Sequence, residues 1–400
     1  MRIVLINQFF WPDSAATSQY LTDLANSLAE QGHHVEVICG ASAYASTGAD
    51  GEAPPVVCHR IACAPFVKGA AGRMWSYLSF FAGAFRTAMD MPKSDVIVTL
   101  TTPPMLSILG TLLKGRRFEK HFIWEMDLFP EALAGVGWVR ESSWIVRFLG
   151  WIADWSRRKS DGIIALGECM RRRLISRGIP ASKIHVAENW ADGRSIMPLP
   201  ARRTGPLVLL YSGNLGRTHD INTILDAMES LKDNPRFHFR FVGGGPRRKE
   251  LADRCSQKNI TNISFAPYCR RDDLGSSLRE GDIGLVTQRQ ECLGTVVPSK
   301  VYGLMAAGRP ILYIGPRTST SAEIVHRFHC GWQVDCGEGA RVADLLQELE
   351  ANRDLVIAAG IRGRRALVEH YDLPQGVGRI CGIISGSSGL AADCVASTSV

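Results

Sequence analysis

Short apolar runs alternate with segments of helical periodicity along most of this 400-residue chain. The first run, Arg2–Ile6, predicts a buried strand. Apolar residues then recur at helical spacing over residues 18–31, and Gly32 ends this predicted helix. A second apolar run at residues 34–39 predicts the next strand. A strand, a helix and a second strand in this order are typical of a doubly wound parallel sheet.

The same alternation continues to the end of the folded sequence. An irregular stretch is predicted at residues 41–72, a helix with an aromatic face at 73–91 and a long helix from 340 to 371. Further strands are predicted at residues 95–100, 121–127, 161–166, 207–211, 237–242, 263–268, 282–287 and 311–314.

A change in composition divides the chain into two domains. Residues 191–205 contain two prolines, three arginines and few apolar residues, which is the composition of a linker. A length of 400 residues also suits two cores of ordinary size. We therefore predict a first domain (1–190), a linker (191–205), a second domain (206–370), a C-terminal helix packing back towards the first domain (371–385) and a disordered tail (386–400).

The stretch GTVVPSKVYGLMAAGRP, residues 294–310, lies between two of the predicted strands. Pro298 suits a first helical position and Gly308 the position just past a helix end. A helix start attracts phosphate through its unpaired N–H groups and partial positive charge. Ser299 and Lys300 add a hydroxyl and a full charge there. An ordinary capped helix would carry the same signals.

Glycines follow two other predicted strands of the second domain. Gly213 and Asn214 follow the strand at 207–211, and Gly243, Gly244 and Gly245 follow the strand at 237–242. Because parallel strands end at one edge of a sheet, these glycines predict a place where backbone approaches a ligand closely.

Polar residues occupy the corresponding loops of the first domain. Asp13 and Thr17 lie in the loop after the first strand, where an ordinary solvated loop would look the same. Asp127 ends the strand predicted at 121–127 and Glu131 follows shortly after, and helix capping is the competing interpretation for these acids.

Composition excludes several classes of protein. The net charge of +7 is mild, and without a basic tract interleaved with aromatics it disfavours nucleic-acid binding. The eleven cysteines form no CxxC pair, which favours reduced thiols in the cytosol over a zinc site. No apolar run is long enough to span a membrane. The pair Glu125 and Asp127 is the one weak signal for a metal, and we expect none.

One segment is typical of a membrane interface. Residues 138–159 combine tryptophans with basic residues, which suits a helix lying on a bilayer. Buried aromatics with a solvated basic rim would give the same pattern. The residues concerned are Trp138, Trp144, Trp151, Trp155, Arg140, Arg147, Arg157, Arg158 and Lys159.

No dinucleotide fingerprint follows the first strand and no Walker motif is present. Over residues 1–385 the chain instead resembles the retaining glycosyltransferases of family 4. The resemblance is strongest to bacterial enzymes that build O-antigen, colanic-acid-like and other exopolysaccharides. The motifs that carry the resemblance are YSGNLG (211–216), FVGGGP (241–246), PSK (298–300), MAAGRP (305–310), WEMDLFPE (124–131) and ENWAD (188–192).

The resemblance implies an α/β GT-B fold, two doubly wound Rossmann-like domains facing a central cleft. It implies transfer of a sugar from a nucleotide-diphosphate donor without a metal, the departing phosphate taking the acceptor proton. Asp127, Glu131, Lys300 and Arg217 would be catalytic. The donor would contact Gly213, Asn214, His219, Gly243, Gly244, Gly245, Ala266, Tyr268 and Ser299, and the acceptor Asp13 and Thr17.

The sequence departs from the family at several of its motif positions. Asn214 and His219 stand where the family has an arginine and a lysine, so that Arg217 and Lys300 would supply the positive charge. The family's two glutamates fall on Thr295 and Gly303, and its histidine before Asp127 is Met126.

Acceptors of the family's bacterial members are usually carried on a polyprenyl diphosphate lipid. The resemblance therefore implies a cytoplasmic protein bound peripherally to the inner membrane and acting on a lipid-linked glycan. A sugar-nucleotide epimerase with the same fold is one alternative. A non-catalytic membrane-associated assembly partner is the other.

Overall fold

The computed structural model describes residues 1–13, 15–41, 53–65, 69–137, 139–140, 142–198, 202–269 and 273–386. The chain forms two compact units. Unit 1 comprises Met1–Glu188 together with the segment from Pro374 onward, and unit 2 comprises Asn189–Leu373. Apart from Gly386, the predicted disordered tail lies outside the described residues.

Unit 1 is built on a parallel sheet of seven strands in the order β3-β2-β1-β4-β5-β6-β7. The strands are β1 (Arg2–Ile6), β2 (His34–Gly40), β3 (Val57–Ile61), β4 (Ser94–Thr99), β5 (Phe118–Glu125), β6 (Gly162–Ala165) and β7 (Ile184–Val186). The helices are α1 (Ala16–Glu30), α2 (Ala70–Asp90), α3 (Ser107–Leu113), α4 (Glu131–Gly135), α5 (Trp144–Lys159) and α6 (Glu168–Ser176).

Apolar residues on both faces of the central strands hold unit 1 together. On one face, Val4 of β1 and Ile97 of β4 pack with Phe80 of α2 and Leu109 of α3 in a single cluster. A strand covered on both faces reads as a continuous apolar run, which is why β1 and β4 are evident in the sequence.

Unit 2 is built on a second parallel sheet, of six strands in the order β10-β9-β8-β11-β12-β13. The strands are β8 (Leu207–Ser212), β9 (Phe237–Val242), β10 (Ile263–Ala266), β11 (Ile283–Thr287), β12 (Ile311–Ile314) and β13 (Gly331–Val334). The helices are α7 (Asn222–Ser230), α8 (Pro246–Gln257), α9 (Leu274–Arg279), α10 (Lys300–Ala306), α11 (Thr320–Phe328), α12 (Gly339–Ala351) and α13 (Arg353–Ala366).

The last helix, α14 (Leu373–Ser385), contacts residues of unit 1. Gln31, which ends α1, approaches the Sγ atom of Cys381 to 3.6 Å, and Arg379 lies 3.8 Å from Glu188.

The α/β prediction of two doubly wound Rossmann-like sheets is confirmed. Two local predictions are wrong. The strand β3 lies within the stretch predicted as irregular, where it pairs with β2 at the edge of the sheet and His59 bonds Glu36 at 2.7 Å. The single helix predicted from residue 340 to 371 is divided at Asn352, whose φ of −131° is not helical.

Candidate functional site

The order of strands in unit 2 reverses between β8 and β11, and ligands of such sheets bind where neighbouring strands diverge in this way. The loop after β8 carries Gly213, Asn214 and His219, and α10, which begins at Lys300, follows β11. The structure therefore brings together four of the predicted donor-side residues, although 86 positions separate Asn214 from Lys300.

The glycines that follow β8 and β9 allow one loop to approach the other. Gly213 donates a hydrogen bond to Val242 O at 2.8 Å, and Gly243 (φ +120°) would place a Cβ atom 2.2 Å from Gly213 O. A Cβ on Gly245 would lie 2.5 Å from Leu215 O. Glycine is required at 243 and 245 because backbone of the same chain fills the space.

Lys300 is half-buried, and the partners of its ammonium are neutral. Its Nζ atom lies 3.4 Å from Asn214 O, 3.4 Å from His219 Nε2 and 5.0 Å from the centre of the Tyr211 ring. Among the described residues no carboxylate is within ion-pairing distance of Nζ, and burial lowers the lysine pKa to about 8. The site therefore presents a cation whose charge nothing in the described chain neutralises.

His219 contributes an acceptor to this site. Its Nδ1 atom is 2.7 Å from Thr287 O, so Nδ1 must carry the hydrogen and the neutral ring exposes a lone pair on Nε2. Burial, followed by the charge of Lys300, lowers the pKa of His219 to about 3. The predicted contact of His219 with the donor therefore cannot be an N–H bond to phosphate, because the one N–H of the neutral ring is already used.

Other predicted donor-side residues surround this point. Asn214 and Arg217 are exposed, and Ser299 and Ala266 are half-buried. Tyr268 is 56% exposed, and its hydroxyl lies 3.4 Å from Asn214 Oδ1.

The ring of Tyr268 also covers Gly244, where a Cβ atom would lie 2.9 Å from Tyr268 Cε2. This exposed aromatic ring beside the site offers a flat surface on which a base can stack.

Sequence reasoning missed two residues of this site. Tyr211 donates to Asn214 O at 2.7 Å, and Arg247 donates to His219 O at 2.7 Å. Tyr211 ends an apolar run and therefore resembles a core residue, whereas Arg247 lies among several basic residues at the start of α8.

The acids of unit 1 belong to a buried network of ion pairs. Arg157 contacts Glu125 at 2.8 Å and Asp154 at 3.0 Å. Arg177 contacts Asp154 at 2.6 Å and Glu131 at 2.9 Å. With 1% of its side chain exposed, Glu131 has almost no surface to offer an acceptor. The structure thus places Glu131 inside the ion-pair network, in contact with Arg177.

Asp127 lies next to this network but retains exposed surface. Burial, and secondarily the charge of Glu125, raises the pKa of Asp127 to about 6. With Thr101, Glu125 and Arg157 it lines a pocket that has room for about one water molecule. Asp127 is therefore the carboxylate of this region that can meet a ligand.

The predicted acceptor residues Asp13 and Thr17 lie at the start of α1. Asp13 is buried and its Oδ1 atom accepts a hydrogen bond from Ala15 N at 2.8 Å. Thr17 is half-buried in the first turn. Asp13 thus closes an Asx turn just before α1, whose N-cap is Ala15 without a side-chain cap bond. The burial of Asp13 does not agree with the competing interpretation of a solvated loop.

Within the described ranges, no three residues among His, Cys, Asp and Glu are placed to hold a metal ion. A reaction without a metal stays a prediction.

Two family models match the chain. Residues 16–190 match the glycosyl transferase 4-like domain, and residues 195–366 match glycosyl transferases group 1. Together the matches extend over nearly all of both units.

Curated relatives and solved structures agree with these matches. The probable glycosyltransferase WbjE of Pseudomonas aeruginosa is 24% identical over 394 residues, 92% of this chain and 94% of that protein. The putative colanic acid biosynthesis glycosyl transferase WcaI of Escherichia coli (strain K12) is 24% identical over 342 residues, 77% of this chain and 82% of that protein. HepE of Anabaena, solved with UDP-glucose, shares the fold with a TM-score of 0.71 at 14% identity, covering 96% of this chain and 100% of that one.

Proposed function

We propose that this chain, which belongs to the glycosyltransferases of the GT-B fold, moves a sugar from a nucleotide-diphosphate donor to a glycan acceptor with retention at the anomeric carbon. The observation that carries the proposal is the half-buried ammonium of Lys300, whose partners among the described residues are neutral, at the ligand-binding edge of a Rossmann-like sheet. The UDP-glucose of HepE supports a donor of this class.

The chemistry requires a cation at this place. The bond between the anomeric carbon and the β-phosphate oxygen breaks, and negative charge grows on the leaving diphosphate. Preorganised positive charge lowers the barrier to such a step. The acceptor oxygen then bonds to the anomeric carbon on the face that the phosphate leaves, and the acceptor proton passes to the departing phosphate oxygen.

The other residues take roles consistent with their positions. Exposed Arg217 strengthens the hold on the diphosphate, and Tyr268 together with Ala266 contacts the base. Asp127, with a pKa of about 6, is ionised at neutral pH and orients an acceptor hydroxyl in unit 1.

The test begins with binding and ends with product. Calorimetry with UDP, GDP, dTDP and ADP is expected to show one preferred nucleotide, and the matching nucleotide sugar is then incubated with and without a lipid-linked glycan extract. Nucleotide release that requires the extract, with an α-linked product from an α-linked donor, supports the proposal. A changed sugar nucleotide without any acceptor would identify an epimerase, and failure of all four nucleotides to bind would overturn the donor assignment.

We also propose that unit 1 binds the surface of an anionic membrane, which supports a glycan acceptor carried on a lipid. Two neighbours of α3, the helices α2 and α5, expose large apolar side chains. These residues form what we call the aromatic surface: Met74, Trp75, Leu78 and Phe85 of α2, and Trp144, Ile145, Phe148 and Trp151 of α5.

The charges beside the aromatic surface suit anionic lipid. Arg147, Arg158 and Lys159 of α5 are exposed, whereas the acid of this helix, Asp154, is buried. Exposed basic and tryptophan side chains on one helix are typical of interfacial binding. The expectation that Arg157 belongs to this basic rim is wrong, because its side chain is 2% exposed and pairs with Glu125. Trp138 lies outside the described residues.

Within the described part of the chain, no helix is long and apolar enough to cross a membrane. Peripheral binding is therefore tested by co-sedimentation with vesicles of phosphatidylglycerol. Trp144→Ser with Trp151→Ser is expected to leave the protein in the supernatant, and Arg158→Glu with Lys159→Glu to weaken binding, as high salt does. Equal sedimentation of the wild type with neutral and anionic vesicles, or none with either, would contradict the proposal.

A further inference from the structure

We infer that His219 is a positioning residue, which acts as a neutral hydrogen-bond acceptor and orients the ammonium of Lys300 towards the donor diphosphate. The inference rests on the proposed function and adds a residue to it. It also reverses the role that the family's lysine at this position would suggest.

The imidazole ring is fixed on several sides. Nδ1 donates to Thr287 O at 2.7 Å, at the end of β11. The ring meets the Tyr211 ring edge-on, with centres 5.7 Å apart and planes at 84°. Arg247 holds the backbone carbonyl of His219 at 2.7 Å. With 8% of the residue exposed, the ring has little freedom to turn, so Nε2 keeps its direction.

That direction is towards Lys300, whose Nζ atom is 3.4 Å away. Asn214 O and the face of the Tyr211 ring are the other two groups at this ammonium. All three attract a cation through a lone pair or a π face, and none carries a charge. They restrict the direction of the ammonium without cancelling the charge that a diphosphate would meet.

A charged partner would act differently. A carboxylate in place of the imidazole would bind the ammonium more strongly but would neutralise it, as Glu125 neutralises Arg157 in unit 1. A protonated imidazole would turn an N–H towards the ammonium and repel it. The charged and titratable groups facing His219 are Lys300 and Arg247, with the Tyr211 ring beside them, and both charges oppose protonation of the ring.

Two amide substitutions separate the functions of the two ring nitrogens. His219→Gln places an amide oxygen near the position of Nε2 and keeps an acceptor for Lys300. His219→Asn keeps a donor for Thr287 O but leaves Lys300 without this acceptor. We expect UDP affinity to stay within about threefold of wild type in the first variant and to fall about tenfold in the second. Uridine, which lacks the phosphates, should bind all three proteins equally, and equal urea midpoints exclude misfolding.

If His219 instead touched the phosphate as a cation, both amides would weaken UDP binding alike, and that result would overturn the inference. If either variant changed uridine binding as strongly as UDP binding, the role would be merely structural, and the inference would again be wrong.

A measurement without any nucleotide separates this inference from the proposed function. Nitrogen-15 spectra of histidine-labelled protein, with the His219 signal assigned through His219→Gln, should show a neutral ring protonated at Nδ1 at pH 6. Protonation at both nitrogens, or at Nε2 alone, would overturn the inference. Failure of the wild type to bind UDP or the other nucleoside diphosphates would count against the proposed function. The spectra would still show whether the His219 ring is neutral and protonated at Nδ1.

Discussion

The two units differ in whether their buried or half-buried basic side chains have acidic partners. In unit 1, Glu125, Asp154 and Glu131 are contacted at 2.6–3.0 Å by Arg157 and Arg177. In unit 2, the ammonium of Lys300 has three neutral partners, and the described residues provide no carboxylate for it. Arg157 and Arg177 therefore have counter-ions within the fold, whereas the half-buried Lys300 has none among the described residues and can pair with a ligand.

The difference distinguishes structural charge from functional charge. A partly buried charge without a counter-ion costs free energy in the folded state, and the pKa of Lys300, lowered to about 8, reflects that cost. An anionic donor removes it on binding. The ion pairs of unit 1 join α5 to the end of β5 and the end of α6 to α5. Beside this network, Asp127 is the carboxylate that retains exposed surface.

Breaking the buried ion-pair network of unit 1 should have the largest effect, a loss of unfolding free energy. Arg157→Met leaves Glu125 and Asp154 without this partner, and removing one member of a buried ion pair typically costs about 3–5 kcal/mol. Urea unfolding measures the loss. Arg158→Met, one position further along α5 and exposed, is the control and should change stability by less than about 0.5 kcal/mol. Equal stability of the two variants would show that the network does not hold unit 1.

Removing the charge of Lys300 should lower the catalytic rate without lowering the stability of the fold. Lys300→Ala is expected to lower kcat by about 10²–10³, the usual loss for one group that stabilises developing negative charge. Its unfolding free energy should equal or exceed that of the wild type, because no ion pair is lost. Lys249→Ala, at an exposed position on α8, is the matched control. Turnover near the wild-type value at saturating donor would remove Lys300 from the mechanism.

Asp127→Asn should reduce turnover about 10–100-fold, the range for a hydrogen bond to a charged group, while donor affinity stays unchanged. Because the pKa of Asp127 is raised to about 6, the wild-type kcat should rise as pH increases through 6 and the carboxyl ionises. The variant should lack that rise. Kinetics combined with calorimetry give both quantities, and a parallel loss of donor binding would place Asp127 with the donor.

The smallest effect is expected at the exposed end of the donor site. Arg217→Ala should weaken binding of a nucleoside diphosphate about two- to fivefold, since exposed charge contacts contribute up to about 1 kcal/mol. Binding of the nucleoside alone should not change. If calorimetry shows both ligands weakened equally, Arg217 supports the loop and does not contact phosphate.

Local signals in the sequence predicted much of the fold. The apolar runs of β1 and β8 are buried on both faces, and Gly308 lies just past the end of α10 as predicted. Pro298 does not take the predicted first helical position, because α10 begins at Lys300 with Ser299 as its N-cap. The strand β3 was missed because it lies at a sheet edge, where half-buried residues give no continuous apolar run.

The candidate site was predicted less completely, for a physical reason. The sequence indicates Lys300 as a site residue because it lies at a predicted helix start after a predicted strand. The sequence does not indicate which groups contact its ammonium. The acceptor for His219 is the backbone carbonyl of Thr287, 68 residues away. Because every residue has a backbone carbonyl, the sequence cannot indicate which one accepts this bond. Arg157 was assigned to a surface because its neighbours are basic, whereas its pairing with Glu125 depends on the tertiary fold.

Proton uptake on binding the preferred nucleoside diphosphate shows directly whether Lys300 meets the donor as a cation without a counter-ion. With a pKa of about 8, Lys300 is half deprotonated at pH 8, and a diphosphate that binds the charged form must draw a proton from solution. Calorimetry at pH 8 in two buffers of different ionisation enthalpy should show uptake approaching about half a proton for the wild type and none for Lys300→Ala. Affinity of the wild type should fall as pH rises above 8. Tight binding of that nucleotide without proton uptake, unchanged in Lys300→Ala, would show that Lys300 does not bind the diphosphate as a cation.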